Sequence, residues 1–370
     1  MTPRAWWVLV ALAVLVGCSP TSGGTRVQLA GDMPPSGPGP HVELHYLGSG
    51  GWLITRGDDM VATAPFVSNP AALAVYAPAA SDTARIDAKV PLMPALKVVL
   101  IGHSHYDHAM DLPHVLAARA PSATLYGSKT VKHLLGDTVG HHRVVDVTDA
   151  GAGRRPAEGQ TPGAWVYPTD APFVRFMPLS SRHAPHLLGF VKVVSWRTLT
   201  KDVARSELPR VPAAWPEGET LAYVIDFLSS ADRSVQFRVY YQDAAAGPGK
   251  GILPILAAPD QARVDVAILC VAAFAQVERN PEAILANLKP RHVVGGHWEN
   301  FFSRSSSDDE YRVVLGTSLD AFIGRARRAA GVPIYIPTPG RTLSIPISNE
   351  PRGTTMQERE AEERAGLAGA

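Results

Sequence analysis

From His41 to Ile345, short runs of β-branched, aromatic and aliphatic residues alternate with polar joints rich in glycine and proline, a texture of short strands more than of long helices. Val42 to Tyr46, Gly51 to Thr55 and Met60 to Thr63 predict an antiparallel start. The Ala/Pro-rich stretch from Asn69 to Pro94 reads as a loop. Leu96 to Gly102 is apolar at nearly every position and predicts a strand buried on both faces. A polar cluster, His103 to His108, follows directly. Asp111 to Ala120 has helical spacing, and Ala123 to Tyr126 fits another strand. Further strands are predicted at Phe173 to Pro178, Gly189 to Trp196, Leu221 to Phe227, Val235 to Tyr241 and within Val264 to Phe274. The proline- and charge-rich segment Thr200 to Thr220 reads as a surface insertion or lid. Pro281 to Leu288 predicts a helix, His292 to Gly295 a short strand, and Asp308 to Ala330 a long helix. The pattern by itself specifies mixed α and β structure, with no internal repeat and no heptad.

Composition narrows this reading. A chain of 370 residues with 46% hydrophobic content can bury one large core or two modest ones, which excludes disorder. Lysine plus arginine number 35 against 34 for aspartate plus glutamate, so no broad basic face for nucleic acid is expected. Two cysteines cannot make a disulfide scaffold. Cys270 lies in an apolar strand and reads as a packed thiol.

The N-terminus reads as a targeting segment. Arg4 precedes an apolar run, Ala5 to Val16, that is too short to span a bilayer but suits a signal peptide. It ends in Leu15-Val16-Gly17-Cys18, which resembles a bacterial lipobox. That resemblance implies a signal peptide over 1–17, lipidation at Cys18, and a flexible tether over 18–40. Ser19 fits an outer-membrane anchor facing the periplasm of the cell envelope. The alternative is a signal peptide cut elsewhere, with Cys18 incidental. Residues 348–370, of mixed charge, read as a solvated tail after a domain spanning 41–347.

The chemistry is concentrated where the buried strand ends. His103, His105, Asp107 and His108 put three imidazoles and a carboxylate within six residues, a donor set suited to divalent transition metals. Strand ends are favourable places for such a site, because the strand fixes the backbone while the loop aims the side chains.

This string, His-Ser-His-Tyr-Asp-His, resembles the H-x-H-x-D-H signature of the metallo-β-lactamase superfamily. The longer run from His103 to Pro113 is most similar to the branch of the N-acylphosphatidylethanolamine phospholipase D enzymes and related bacterial hydrolases. The resemblance implies an α+β fold, an αββα sandwich in a single domain, with two divalent metal ions, zinc by expectation, in an edge cleft. It implies His103, His105 and His183 on one metal and Asp107, His108 and His297 on the other, with Asp243 as the bridge between them. His186 competes with His183 for the third position.

The implied reaction is hydrolysis, with a hydroxide held between the metals attacking a phosphodiester or ester-type substrate, a lipid among the candidates. Lactonase, amidase or β-lactamase chemistry at the same site is the alternative, as is a non-enzymatic metal-binding lipoprotein. Asp107 is expected to accept or relay a proton and Tyr106 to donate to an oxyanion. Trp298, Glu299, Asn300 and Phe301 are expected to wall the substrate cleft.

Two departures from the resembled pattern stand out. Ala64 occupies the strand-end position where relatives carry an aspartate that supports the ligands, which leaves Thr63 or Asp111 to compensate. Gly48-Ser49 stands where Gly-His is frequent.

Overall fold

The computed structural model describes residues 39–69, 76–153, 161–185, 195–256, 260–302 and 311–347. The expected signal peptide, Cys18, nearly all of the tether, the C-terminal tail, His186 and most of the strand at 189–196 lie outside these residues. Among the described residues, no helix is long and apolar enough to cross a membrane.

Two sheets form the frame. The first opens with the antiparallel strands β1 (His41–Gly48), β2 (Gly51–Arg56) and β3 (Asp59–Thr63). It continues in parallel through β4 (Val98–Leu100), β5 (Thr124–Gly127) and β6 (Val144–Asp146). The second begins with the antiparallel strands β7 (Val174–Ser180), β8 (Leu221–Leu228) and β9 (Val235–Tyr241). Its parallel half is β10 (Val266–Cys270), β11 (His292–Gly296) and β12 (Ile334–Tyr335). Finally β13 (Thr342–Pro346) returns to pair with β1, so the first and last strands share one sheet.

The sheets pack face to face with helices outside, because consecutive side chains on a strand point to opposite faces. On β4, Val98 and Leu100 enter the core between the sheets, whereas Val99 enters a second core beneath the helices. On β11 a Cβ at Gly295 would meet Phe322 of the helix Leu319–Ala330, and one at Gly296 would meet Trp52 of β2. The layering is therefore helix, sheet, sheet, helix, a mixed α/β architecture of the kind the resemblance implied.

Several expectations are corrected. The Asn69–Pro94 loop contains a helix, Thr83–Lys89, whose first turn is capped by Asp82 accepting the Arg85 N–H at 3.0 Å and which buries Ile86. The long helix expected from Asp308 spans only Leu319–Ala330 among the described residues. Gly316 lies at φ +79°, and Ser318 caps the helix by accepting the Ala321 N–H at 3.2 Å. The helix Lys129–Val139, capped by Ser128, escaped the sequence pattern, as did the short strands β6, β12 and β13.

The expected surface insertion or lid at 200–220 is a strap. The Leu199 N–H donates to Thr130 Oγ1 at 3.1 Å, the Val203 N–H to His133 O at 2.9 Å, and the Thr130 N–H to Glu219 Oε2 at 3.1 Å. Trp215, within it, is buried.

One charged row crosses the second sheet. Arg175, Asp226 and Arg238 are directly opposed on β7, β8 and β9. Arg238 Nε donates to Asp226 Oδ1 at 2.6 Å and Arg175 Nε to Asp226 Oδ2 at 2.9 Å, with Arg238 and Asp226 fully buried. Removing the shared carboxylate leaves the buried Arg238 guanidinium with backbone carbonyls alone, while Arg175 keeps Asp260 Oδ1 at 2.8 Å. Asp226→Ala is therefore expected to cost about 3–5 kcal/mol, read as a lowered urea midpoint at an unchanged m-value.

Candidate metal centre

The centre lies where strands of both sheets end. The β4 strand delivers His103 and His105 through Gly102, and a single helical turn, Tyr106–Ala109, turns Asp107 and His108 inward. His183 follows β7, Asp243 follows β9, and His297 follows β11. All of these side chains are buried except that of His183, which is partly exposed.

His103, His105 and His183 form one group. Their ring centroids lie 4.7 to 4.8 Å apart, and one ligand atom from each can be chosen so that all fall within 4.8 Å of one another. Backbone carbonyls orient two of the rings. His105 Nε2 faces Ser195 O at 3.1 Å and His183 Nδ1 faces Ala184 O at 2.7 Å, which leaves His105 Nδ1 and His183 Nε2 for a metal. Ser195 pairs with Pro216 of the strap, which ties the strap to this ligand.

Asp107, His108 and His297 form the second group. Asp107 Oδ2 lies 3.5 Å from His108 Nε2 and 3.2 Å from His297 Nε2, and the two Nε2 atoms are 3.2 Å apart. Tetrahedral ligands on zinc, with bonds of about 2.0–2.1 Å, stand about 3.3 Å from one another. Both groups therefore suit a divalent ion in donor type, and the second also suits it in spacing.

Electrostatics hold two members of the second group, His108 and Asp107, in their ligating forms. Burial drives the His108 imidazole down to about 3, so it is neutral at physiological pH. Burial also acts to raise Asp107, but the adjacent His108 and the hydrogen bond with His297 outweigh it and hold the carboxyl well below its usual range. For His297 burial pulls down, while its bond to Asp107 prevails and raises it.

Asp243, the expected bridge, lies against one ring of each group. Its carboxylate accepts the Gly102 N–H at 2.9 Å and stands 3.2 Å from His103 Nδ1 and 3.7 Å from His108 Nδ1. His108 presents Nε2, not Nδ1, to the second group. Asp243 thus hydrogen-bonds the His103 ring and lies beside His108 Nδ1, beyond hydrogen-bond distance.

Such a carboxylate fixes ring orientation and raises ligand basicity, the support that Ala64 cannot give. Neither Thr63 nor Asp111 supplies it. The Thr63 hydroxyl donates to Gly50 O at 2.5 Å, and Asp111 accepts the backbone N–H groups of Val67 and Ser68 at 2.9 and 3.0 Å.

Three residues expected to face substrate are turned into the protein. Tyr106 is buried edge-on to Phe66, its hydroxyl 3.4 Å from Phe301 O. Trp298 is fully buried and its indole N–H donates to Pro337 O at 2.9 Å. Glu299 is buried against Tyr46 and Ser49. Asn300 caps the Phe302 N–H at 3.0 Å. Phe301 remains beside the site, with its ring 4.6 Å from that of His297.

The chain matches no family model and no curated protein. Its fold is similar to solved structures of low identity. One is Igni18, a novel metallo hydrolase from the hyperthermophilic archaeon Ignicoccus hospitalis, at 15% identity and a TM-score of 0.46, covering 83% of this chain and 100% of that one. Another is the metallo-beta-lactamase fold protein YhfI from Bacillus subtilis, at 12% and 0.44, covering 81% and 98%. A third is an isothiocyanate hydrolase from Delia radicum gut bacteria, at 12% and 0.43, covering 81% and 98%. The chemistry of the centre rests on its own residues.

Sequence spacing could not reveal Gly50 or Gly102 as parts of the site. A Cβ on Gly50 would stand 2.7 Å from His108 Nδ1 and 2.8 Å from Tyr241 Oη, and one on Gly102 would overlap the Asp243 carboxylate. Gly50→Ala is expected to displace His108 and reduce bound metal per chain, measured by elemental analysis after loading. Gly57→Ala is the control. A Cβ there meets nothing within 4 Å, although its φ of +58° carries backbone strain remote from the metal.

Proposed function

We propose that the chain is a dinuclear metal-dependent hydrolase of the metallo-β-lactamase type. The observation that carries this reading is the convergence of two three-residue ligand groups, both drawing on the segment His103–His108, at one edge of a two-sheet fold. Two divalent ions, zinc in our reading, would supply Lewis acidity to a carbonyl or phosphoryl group and lower the pKa of water toward neutrality.

The residues supply the rest. His108 is held neutral and Asp107 ionised, so both are in the ligating state at physiological pH. Asp107 is the carboxylate placed to accept a proton from an attacking water. Phe301, its ring 4.6 Å from that of His297 and backed by Phe302, shields the second group.

For substrate we favour a phosphodiester or ester with an apolar portion. Phe301 flanks one ligand group, and the exposed Trp196 follows Ser195, whose carbonyl orients His105 in the other. An acyl anchor on Cys18 at the cell envelope would hold the site near such molecules.

Metal-loaded protein assayed in parallel on bis(p-nitrophenyl) phosphate, a lactone and a cephalosporin is expected to hydrolyse the phosphodiester or lactone best. Asp107→Ala should lower that rate roughly 100-fold or more. No turnover on any of the three, or turnover indifferent to Asp107→Ala, would contradict the reading. Separately, Cys18→Ala is expected to move the protein from the membrane fraction to the soluble one, and an unchanged distribution would remove the anchor.

A further inference from the structure

His297 ends β11 in a left-handed backbone conformation, φ +55°, a region that suits glycine better than a residue with a Cβ. Something must hold it there. Its carbonyl accepts the Ala272 N–H at 3.0 Å from the end of the neighbouring strand. Its own N–H crosses to the other sheet and donates to Tyr46 Oη at 2.7 Å.

Tyr46 is fully buried on β1 and stacked on Trp52 at 4.4 Å. Its hydroxyl has one proton, and the shortest acceptor is Glu299 Oε2 at 2.6 Å. The other Glu299 oxygen accepts the Ser49 N–H. Gly48, at φ +99°, lets the β1–β2 turn lie against this carboxylate, since a Cβ there would come within 3.3 Å of Glu299 Oε1. The direction of the chain is thereby set: Glu299 accepts from Tyr46, and Tyr46 accepts from His297. Each bond polarises the next.

We infer that Tyr46 and Glu299 are positioning residues that act through His297, a latch that presets the second ligand group for its ion. The inference rests on the reading of that group as a metal site. It also assigns a use to Glu299 that is not contact with substrate. The carboxylate lies two residues beyond the ligand and spends both oxygens on the latch. Its negative charge near the group favours a bound cation as well.

The test is a zinc titration of the full chain against a chromophoric chelator, with the unfolding midpoint of each metal-free variant recorded alongside. Wild type should bind two ions, and His297→Ala should identify which binding step belongs to the second group. Tyr46→Phe, which removes only the hydroxyl, should weaken that step by about 10- to 100-fold and leave the other step unchanged. Glu299→Ala should do the same, and Glu299→Gln, which keeps an oxygen for the Tyr46 proton, should lose less.

Wild-type affinity at both steps in Tyr46→Phe and Glu299→Ala would overturn the latch. So would equal weakening of both steps, which marks a general loss of stability. If Tyr46→Phe does not fold, the two Glu299 variants decide the matter. Wild type that binds no ion would instead overturn the metal-site reading, and the latch with it.

Discussion

The structure depends on holding two sheets in register at the edge where their strands end. No single strand carries enough ligands for the centre. One sheet brings His103, His105, Asp107 and His108, and the other brings His183, Asp243 and His297. Apolar packing between the sheets sets their separation but is tolerant of small slips, whereas ligand atoms about 3.2 Å apart are not. The tolerance is removed by buried tyrosine hydroxyls that cross the interface. Tyr223 donates to Ile101 O at 2.8 Å, just before the ligand segment, and Tyr241 donates to Gly50 O at 2.7 Å, beneath His108. Tyr46 receives the His297 N–H. Each phenol is buried enough to stay protonated, since burial raises all three well above the usual range.

That geometry explains the small residues around the centre. Gly50 and Gly102 are needed because the tyrosine and carboxylate braces approach the backbone closely. It also explains how the site meets an electrostatic requirement. A buried carboxylate without partners would take up a proton, and a buried imidazolium would lose one. Grouped as Asp107, His108 and His297, they settle with the carboxylate ionised and His108 neutral, the forms that bind a cation. The bracing Asp243 and the carbonyls of Ser195 and Ala184 then fix which nitrogen each ring presents.

What the sequence makes legible is local. The ligand segment, the strand preceding it and most core strands could be read because alternation and donor spacing are short-range signals. Every described candidate ligand lies at the centre. The misreadings are non-local. Trp298 and Glu299 look like cleft residues because they follow a ligand, and only the fold shows one in the core and the other against a tyrosine 253 positions earlier. The strap looked like a lid because proline and charge mark a surface segment without saying what it ties. The helix at Lys129–Val139 carries glycine, threonine and histidine that weaken its periodic signal, and it is secured by the strap and the Ser128 cap.

We propose that the two ligand groups, sharing one loop, each hold a metal ion. Anomalous diffraction from metal-loaded crystals at the absorption edge tests it most directly. The account predicts two peaks, one within reach of His103, His105 and His183 and the other among Asp107, His108 and His297. A single peak, or peaks away from either group, would contradict it.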